Sequence, residues 1–253
     1  MNICLFSEEE IGKPLEIKDS RAQHIIKILH KKEGDSFTAG IIGGASGTAV
    51  ISSVGEKLSY VFTPESEGKK LHPLVMIIGF PRPIQLKRLL RDMAGLGVSA
   101  VHLTGTELVE KSYMSSTMSS PEAARQMLLD GTVQAGSTFV PEVAVHKNLR
   151  SCLETLFDGD AGIAKADKRM ALDNVNPAGS LWDYCSKGKL AFATGQEPAF
   201  AAIGSERGWT DNERAVFEDY GFVRLGMGER ILRTETASTV AASIILGSMG
   251  VLN

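Results

Sequence analysis

The residues best suited to chemistry fall in three clusters, each at the end of an apolar run. Residues 199–208 (AFAAIGSERG) lead into Gly-Ser-Glu-Arg-Gly, a turn whose glycines let backbone N–H and C=O groups come close to a ligand. Thr210 and Glu213 follow with the S/T-x-x-E spacing of a capping box, and Gly221 is placed to end the helix it starts. An ordinary strand-to-helix connection would use the same glycines. Residues 225–237 (LGMGERILRTETA) put Arg230 and Arg233 on either side of Ile231 and Leu232, just before Thr234 or Thr236 can cap a final helix. Two arginines and Glu235 beside a buried helix start read either as a ligand site or as a structural Arg–Glu pair. Residues 80–91 (FPRPIQLKRLLR) carry Arg82, Lys87, Arg88 and Arg91 with no acid among them, which suits a phosphate partner or a solvated helix face.

Other chemistries lose support. There is no G-x-G-x-x-G after a first strand, no G-x-x-x-x-G-K-[ST] and no G-x-S-x-G, which argues against a conventional dinucleotide, ATP or serine-hydrolase site. The five histidines (24, 30, 72, 102, 146) have no metal-ligand spacing, so no metal is expected. Cys4, Cys152 and Cys185 are odd in number and lack C-x-x-C spacing, which fits reduced thiols.

The elements that must position these clusters come from periodicity. The 253 residues, 43% hydrophobic and 23% charged, suit one large domain or a small and a medium one. The opening residues carry three consecutive glutamates where a secretory signal needs an apolar stretch, and no apolar run approaches about 18 residues. A soluble cytoplasmic protein with no membrane partner is expected. Its net charge of −3 does not advertise nucleic-acid binding, although a local basic patch can supply it.

Residues 1–70 read as short strands and turns around one helix, from Asp19 to about His30, with Ala22, Ile25, Ile26 and Leu29 on one face and Gly34 following. Its opposite side carries Arg21, His24, Lys27 and Lys31, either a solvated face or a phosphate contact. The Pro-, Gly- and charge-rich stretch 64–73 marks a domain boundary. Beyond it, a strand at 74–78, a helix holding Leu86, Leu89, Leu90, Met93 and Ala94, and a strand at 98–103 begin an alternation. Further strands are expected at 162–166, 190–193, 199–203 and 222–225, giving an α/β layer with a largely parallel sheet.

The run from Met227 to Ala237 (MGERILRTETA) resembles the C-terminal signature L-G-x-R-I-L-R-x-E-T-A of the small-subunit (16S) ribosomal RNA uridine-N3 methyltransferases, members of the SPOUT superfamily. Residues 203–209 (IGSERGW) are similar to that family's I-G-P-E-G-G-[FW] loop. Residues 91–101 (RDMAGLGVSAV), 134–143 (QAGSTFVPEV) and 24–35 (HIIKILHKKEGD) resemble three more of its stretches, so the likeness runs in order along nearly the whole chain. Ser205 stands for the usual proline, Arg207 for a glycine, Met227 for a leucine and His30 for an arginine.

The resemblance implies a PUA-like β-barrel over residues 1–72 and a SPOUT α/β domain with a trefoil knot over 73–253. It also implies a homodimer, S-adenosylmethionine as cofactor, and ribosomal RNA or the small ribosomal subunit as substrate. Carried onto this chain, it places Gly204, Ser205, Glu206, Gly208, Met227, Gly228, Ile231, Leu232 and Arg233 at the cofactor. Arg233 or Arg230 would stabilise charge on the uracil, and Glu206 or Glu235 would take its proton. Arg21, Lys27, Lys31, Arg82 and Lys87 would hold RNA phosphates. The substitutions leave two other readings open: a methyltransferase of this fold for another RNA, and a non-catalytic RNA-binding or ribosome-assembly protein.

Overall fold

Alternation of small and apolar residues near the start of the chain becomes a five-stranded sheet. Its strands are β1 (Cys4–Phe6), β2 (Leu15–Glu16), β3 (Ser36–Ile41), β4 (Ser46–Val54) and β5 (Lys57–Ser66), ordered β1-β3-β4-β5-β2. Phe37 and Ala39, Ala49 and Ile51, and Leu58 and Tyr60 sit at every second position and are buried, as a sheet with one covered face requires. Tyr60 packs its ring between Phe6 and Phe37, with centroids 5.1 and 5.7 Å away. The helix expected to reach His30 is shorter. Asp19 caps α1 (Ser20–Gln23), which widens into a π-helical turn over His24–Ile28. His30 then adopts a φ of 52°, so the chain has left the helix before Gly34.

The structure describes residues 2–157, 168–189 and 198–252 in this computed structural model. It falls into two units, Met1–Leu71 with Leu129–Val140, and His72–Leu128 with Pro141–Asn253. A single division between 72 and 73 therefore misses a segment. Gly43 N–H donates to the Thr138 carbonyl at 2.8 Å and Thr138 Oγ1 donates to the Gly44 carbonyl at 2.7 Å, long-range bonds that composition does not reveal.

The second unit holds a six-stranded sheet, parallel throughout, ordered β11-β9-β10-β6-β7-β8. Its strands are β6 (His72–Gly79), β7 (Val98–Thr104), β8 (Glu142–His146), β9 (Arg169–Leu172), β10 (Ala199–Ile203) and β11 (Val223–Leu225). From Leu74 onward β6 is buried on both faces, which is why it reads as an unbroken apolar run. The helices are α2 (Pro83–Leu96), α3 (Lys111–Met114), α4 (Pro121–Ala135, whose residues from Leu129 onward belong to the first unit), α5 (Leu149–Phe157), α6 (Leu181–Tyr184), α7 (Asp211–Asp219) and α8 (Thr234–Ser248). Pro83 opens α2 and Gly97, at φ 73°, closes it. Leu86, Leu89, Leu90 and Met93 are fully buried, each worth roughly 1.5–3 kcal/mol relative to exposure.

The expected strands at 162–166 and 190–193 lie outside the described residues. Those at 199–203 and 222–225 correspond to β10 and, from Val223, β11. Strand β9 went unread because it is four residues long and starts with a charge. Arg169 is buried there, its guanidinium 4.0 Å from the Phe157 ring centre and donating to the Tyr220 carbonyl at 2.8 Å. No helix among the described residues is long and apolar enough to cross a membrane.

Histidines scattered in sequence meet between β7 and β8. His102, His146 and Cys152 place one ligand-type atom each within 4.8 Å of one another. The His102 and His146 planes differ by only 12° with centres 5.1 Å apart, and Nδ1 of His102 lies 2.9 Å from Nε2 of His146. The facing nitrogens therefore point along the line joining the rings, the geometry of a shared N–H···N bond rather than of two lone pairs converging on an ion. Burial, helped by the neighbouring His146, pulls His102 down to about 4, and burial also lowers His146.

Both rings are then neutral in the folded chain while the unfolded chain takes up protons below about pH 6.5. Stability is full above that pH and falls toward pH 4. The unfolding free energy from urea titrations recorded against pH should drop over this window by an amount on the order of 2 kcal/mol, and the drop should be smaller in His102→Gln. An equal pH dependence in the variant would contradict the assignment.

Candidate functional site

Strand β10 ends between β9 and β6, so the 204–208 loop leaves the C-terminal edge of the central strands, where open parallel sheets hold ligands. Backbone approach there is very close. A Cβ on Gly79, the last residue of β6, would lie 2.4 Å from the Ser205 backbone nitrogen and 2.8 Å from Thr106 Cγ2. Thr106 Oγ1 donates to Ser205 Oγ at 2.9 Å, both residues buried. Gly208, at φ 70°, turns back so that its N–H reaches the Ser205 carbonyl at 2.9 Å. Trp209 is buried and its Nε1–H donates to the Leu172 carbonyl at 3.1 Å, pinning the loop to the end of β9.

The capping box starts α7 as its spacing predicts. Thr210 Oγ1 accepts from the Glu213 N–H at 3.2 Å, and Glu213 Oε2 accepts from the Thr210 N–H at 2.9 Å. Glu213 does more than cap, since its Oε1 accepts from the Glu107 N–H at 3.0 Å and so ties the 106–107 turn to the same helix. Burial pushes its carboxyl up against the pull of these bonds.

The second loop differs from expectation at the start of α8. Neither Thr234 nor Thr236 caps it; Arg233 is the N-cap residue and gives no side-chain bond. Thr234 instead lies in the first turn, and its Oγ1 donates to the Gly204 carbonyl at 3.2 Å, joining the two loops. Arg230 and Arg233 are exposed, and among the described residues neither forms an ion pair with Glu235, so the structural Arg–Glu pair is absent. Glu235 is buried in the first turn of α8, where the helix dipole favours a carboxylate.

Between the loops lies a cavity of about 220 Å³. Of the nine residues the family motifs place at the cofactor, Gly204, Ser205, Glu206, Gly208, Met227, Ile231 and Leu232 line it. Gly228 and Arg233 do not; of the two candidates for stabilising charge only Arg230 lines it, and of the two for taking the proton only Glu206 does. Gly228 has a φ of 98° and open space around it, so its role is conformational.

Sequence reading missed the cavity's other wall. Asp173 follows β9 and Arg214 lies on α7; Arg214 Nε donates to Asp173 Oδ2 at 2.7 Å, and Asp173 Oδ1 accepts from the Val175 N–H at 3.0 Å. Asp173 holds the Arg214 pKa above its usual value. The pair is 41 positions apart, and no local spacing signals it.

The expected phosphate contacts are divided between the two units. In the first, Lys27 is exposed and Lys31 half-buried, but Arg21 is committed: its Nη2 lies 2.9 Å from Glu10 Oε1 and 2.7 Å from Asp19 Oδ2. In the second, Lys87 is exposed and Arg82 pairs with Glu206 at 3.2 Å.

A model of the RNA methyltransferase domain matches residues 68–246. The chain is 41% identical to Ribosomal RNA small subunit methyltransferase E of Treponema pallidum, over 98% of this chain and 91% of that protein. The chain belongs to this RNA methyltransferase family. Ribosomal RNA small subunit methyltransferase E 1 of Borreliella burgdorferi is 31% identical, over 98% of each chain. The fold is shared with the crystal structure of Ribosomal RNA small subunit methyltransferase E of Neisseria gonorrhoeae bound to S-adenosyl methionine, at TM-score 0.71 and 18% identity, over 98% of this chain and 97% of that one.

In this RNA methyltransferase the approach of Gly79 to Ser205 is the tightest constraint on the loop. Gly79→Ala should destabilise the protein by about 1–3 kcal/mol, because the added methyl meets backbone that cannot rotate away. A denaturation midpoint equal to wild type would show that the loop is free to move.

Proposed function

We propose that this protein transfers the methyl group of S-adenosylmethionine to N3 of a uridine in 16S ribosomal RNA. The observation that carries the reading is the meeting of the two strand-end loops around one cavity. The lining suits such a cofactor: glycine backbone at Gly204 and Gly208, apolar surface from Ile203, Leu232 and Ala237, and charged groups at Asp173 and Arg230. When bound, S-adenosylmethionine supplies a methyl group on a sulfonium that leaves readily.

What remains for this chain is to hold the base in line and to manage one proton. The neutral imide is a poor nucleophile, so its N3 proton must pass to an acceptor as the methyl bond forms. Glu206 lines the cavity with its side chain 32% exposed, which favours it over Glu235 for that role. Arg230 lines the cavity, while Arg233 is the exposed N-cap of α8; either can stabilise negative charge on the uracil oxygens. The target must be extruded or single-stranded to present its N3 edge.

The same reading makes the first unit a PUA-like barrel that helps hold RNA and gives the second a trefoil knot at the cofactor. It also makes the protein a cytoplasmic homodimer that binds RNA across both subunits. Five strands around their own core support the barrel, and the exposed Ile231 and Arg233 support a surface shared with a second copy and RNA.

Mass spectrometry of ribosomal RNA nucleosides from cells with and without the gene tests the activity. The reading predicts loss of N3-methyluridine from 16S RNA. Loss of a different methylated nucleoside would indicate another RNA target, and an unchanged profile a non-catalytic protein.

Two variants test the site. Gly228→Val forces a β-branched residue into a φ of 98° and should abolish S-adenosylmethionine binding in a calorimetric titration while the fold survives. Unchanged affinity would move the cofactor elsewhere. Arg233→Lys keeps the charge but loses the planar fork, and should slow single-turnover methylation by about 10²-fold with RNA affinity little changed. Weaker cofactor binding with the saturated rate preserved would make Arg233 a cofactor ligand and pass the charge-stabilising role to Arg230.

A further inference from the structure

Two residues that sequence assigns to different partners are bound to each other. Arg82, expected to meet an RNA phosphate, donates from Nε to Oε2 of Glu206 at 3.2 Å, and Glu206 belongs to the cavity-lining loop. Their side chains are 63% and 32% exposed, so the contact sits at the rim. It is a single bond between Nε and one carboxylate oxygen, not the two-pronged contact a guanidinium can form. The side chain of Tyr113 also hydrogen-bonds Arg82.

We propose that Glu206 is an internal competitor for Arg82: an RNA backbone phosphate that docks on Arg82 displaces the Glu206 carboxylate and leaves it unpaired at the cavity. The proposal rests on the reading of this protein as an RNA methyltransferase acting at that cavity. Three observations favour exchange over a fixed structural pair. An exposed pair of this kind holds its partners only weakly, whereas a phosphate accepts both prongs of the guanidinium. Arg82 directly precedes α2, whose exposed Lys87 and Arg88 have no ion-pair partner among the described residues, so further cations wait beside it for the same strand. The loop does not depend on the rim pair for its shape, because the buried Thr106–Ser205 and Thr234–Gly204 bonds hold it from inside.

The free protein thus keeps Glu206 neutralised by Arg82, and the carboxylate becomes available when substrate arrives. Exchange makes a distinctive demand on binding: removing Glu206's charge should help RNA only when Arg82 is there to receive it.

The test is a double-mutant cycle on binding of deproteinised small-subunit ribosomal RNA, without S-adenosylmethionine, across a range of salt concentrations. Glu206→Gln should tighten binding by about two- to five-fold, the range expected for release from an exposed ion pair. Arg82→Gln should weaken binding and reduce the salt slope by about 1. Adding Glu206→Gln to Arg82→Gln should then change nothing. Equal tightening by Glu206→Gln in both backgrounds would mean that Glu206 acts through net charge alone, and would overturn the exchange. An unchanged salt slope in Arg82→Gln would overturn it too while leaving the methylation reading intact. Failure of the wild-type protein to bind this RNA would remove both.

Discussion

The end of strand β6 runs so close to the loop after β10 that no side chain fits between them. Gly79 faces the Ser205 backbone there, and the rest of the site follows from that contact. The loop is trapped between the strand below it, Thr106 beside it and the first turn of α8, whose Thr234 hydroxyl reaches the Gly204 carbonyl. Trp209 then locks its exit to β9. A short turn held from several sides cannot relax into the space it borders, and the space stays open as a cavity.

Charge is distributed to match. The buried interior carries polar groups whose bonds are satisfied within the unit, such as Arg214 with Asp173 and Glu213 with the Thr210 and Glu107 amides. The arginines free to meet a ligand, Arg230 and Arg233, stand exposed on the loop before α8. The site therefore has a fixed floor and an adaptable rim, which suits a small cofactor below and a large polyanion above.

Much of this was legible in the sequence, and what was not has physical reasons. Strands β6, β7 and β10 are buried on both faces and read as apolar runs, and the α7 capping box reads from two residues three positions apart. Strand β9 did not read, because a buried cation over Phe157 breaks its apolar pattern. Thr234 looked like a cap because hydroxyls before apolar runs usually are, yet its bond goes to another loop 30 positions away. Asp173 with Arg214, His102 with His146, and Arg82 with Glu206 are all products of topology, since each joins elements that only the folded sheet brings together. The motifs located both loops, and geometry then sorted their residues into cavity lining, conformational support and exposed rim.

The two strand-end loops are proposed to form one cofactor site. Amide hydrogen exchange of the full chain, with and without saturating S-adenosylmethionine, tests it most directly. A cofactor held between these loops should give new protection concentrated in residues 203–209 and 226–232, with the strands of the first unit unchanged. Protection centred on any other segment, with these two loops exchanging as before, would contradict it.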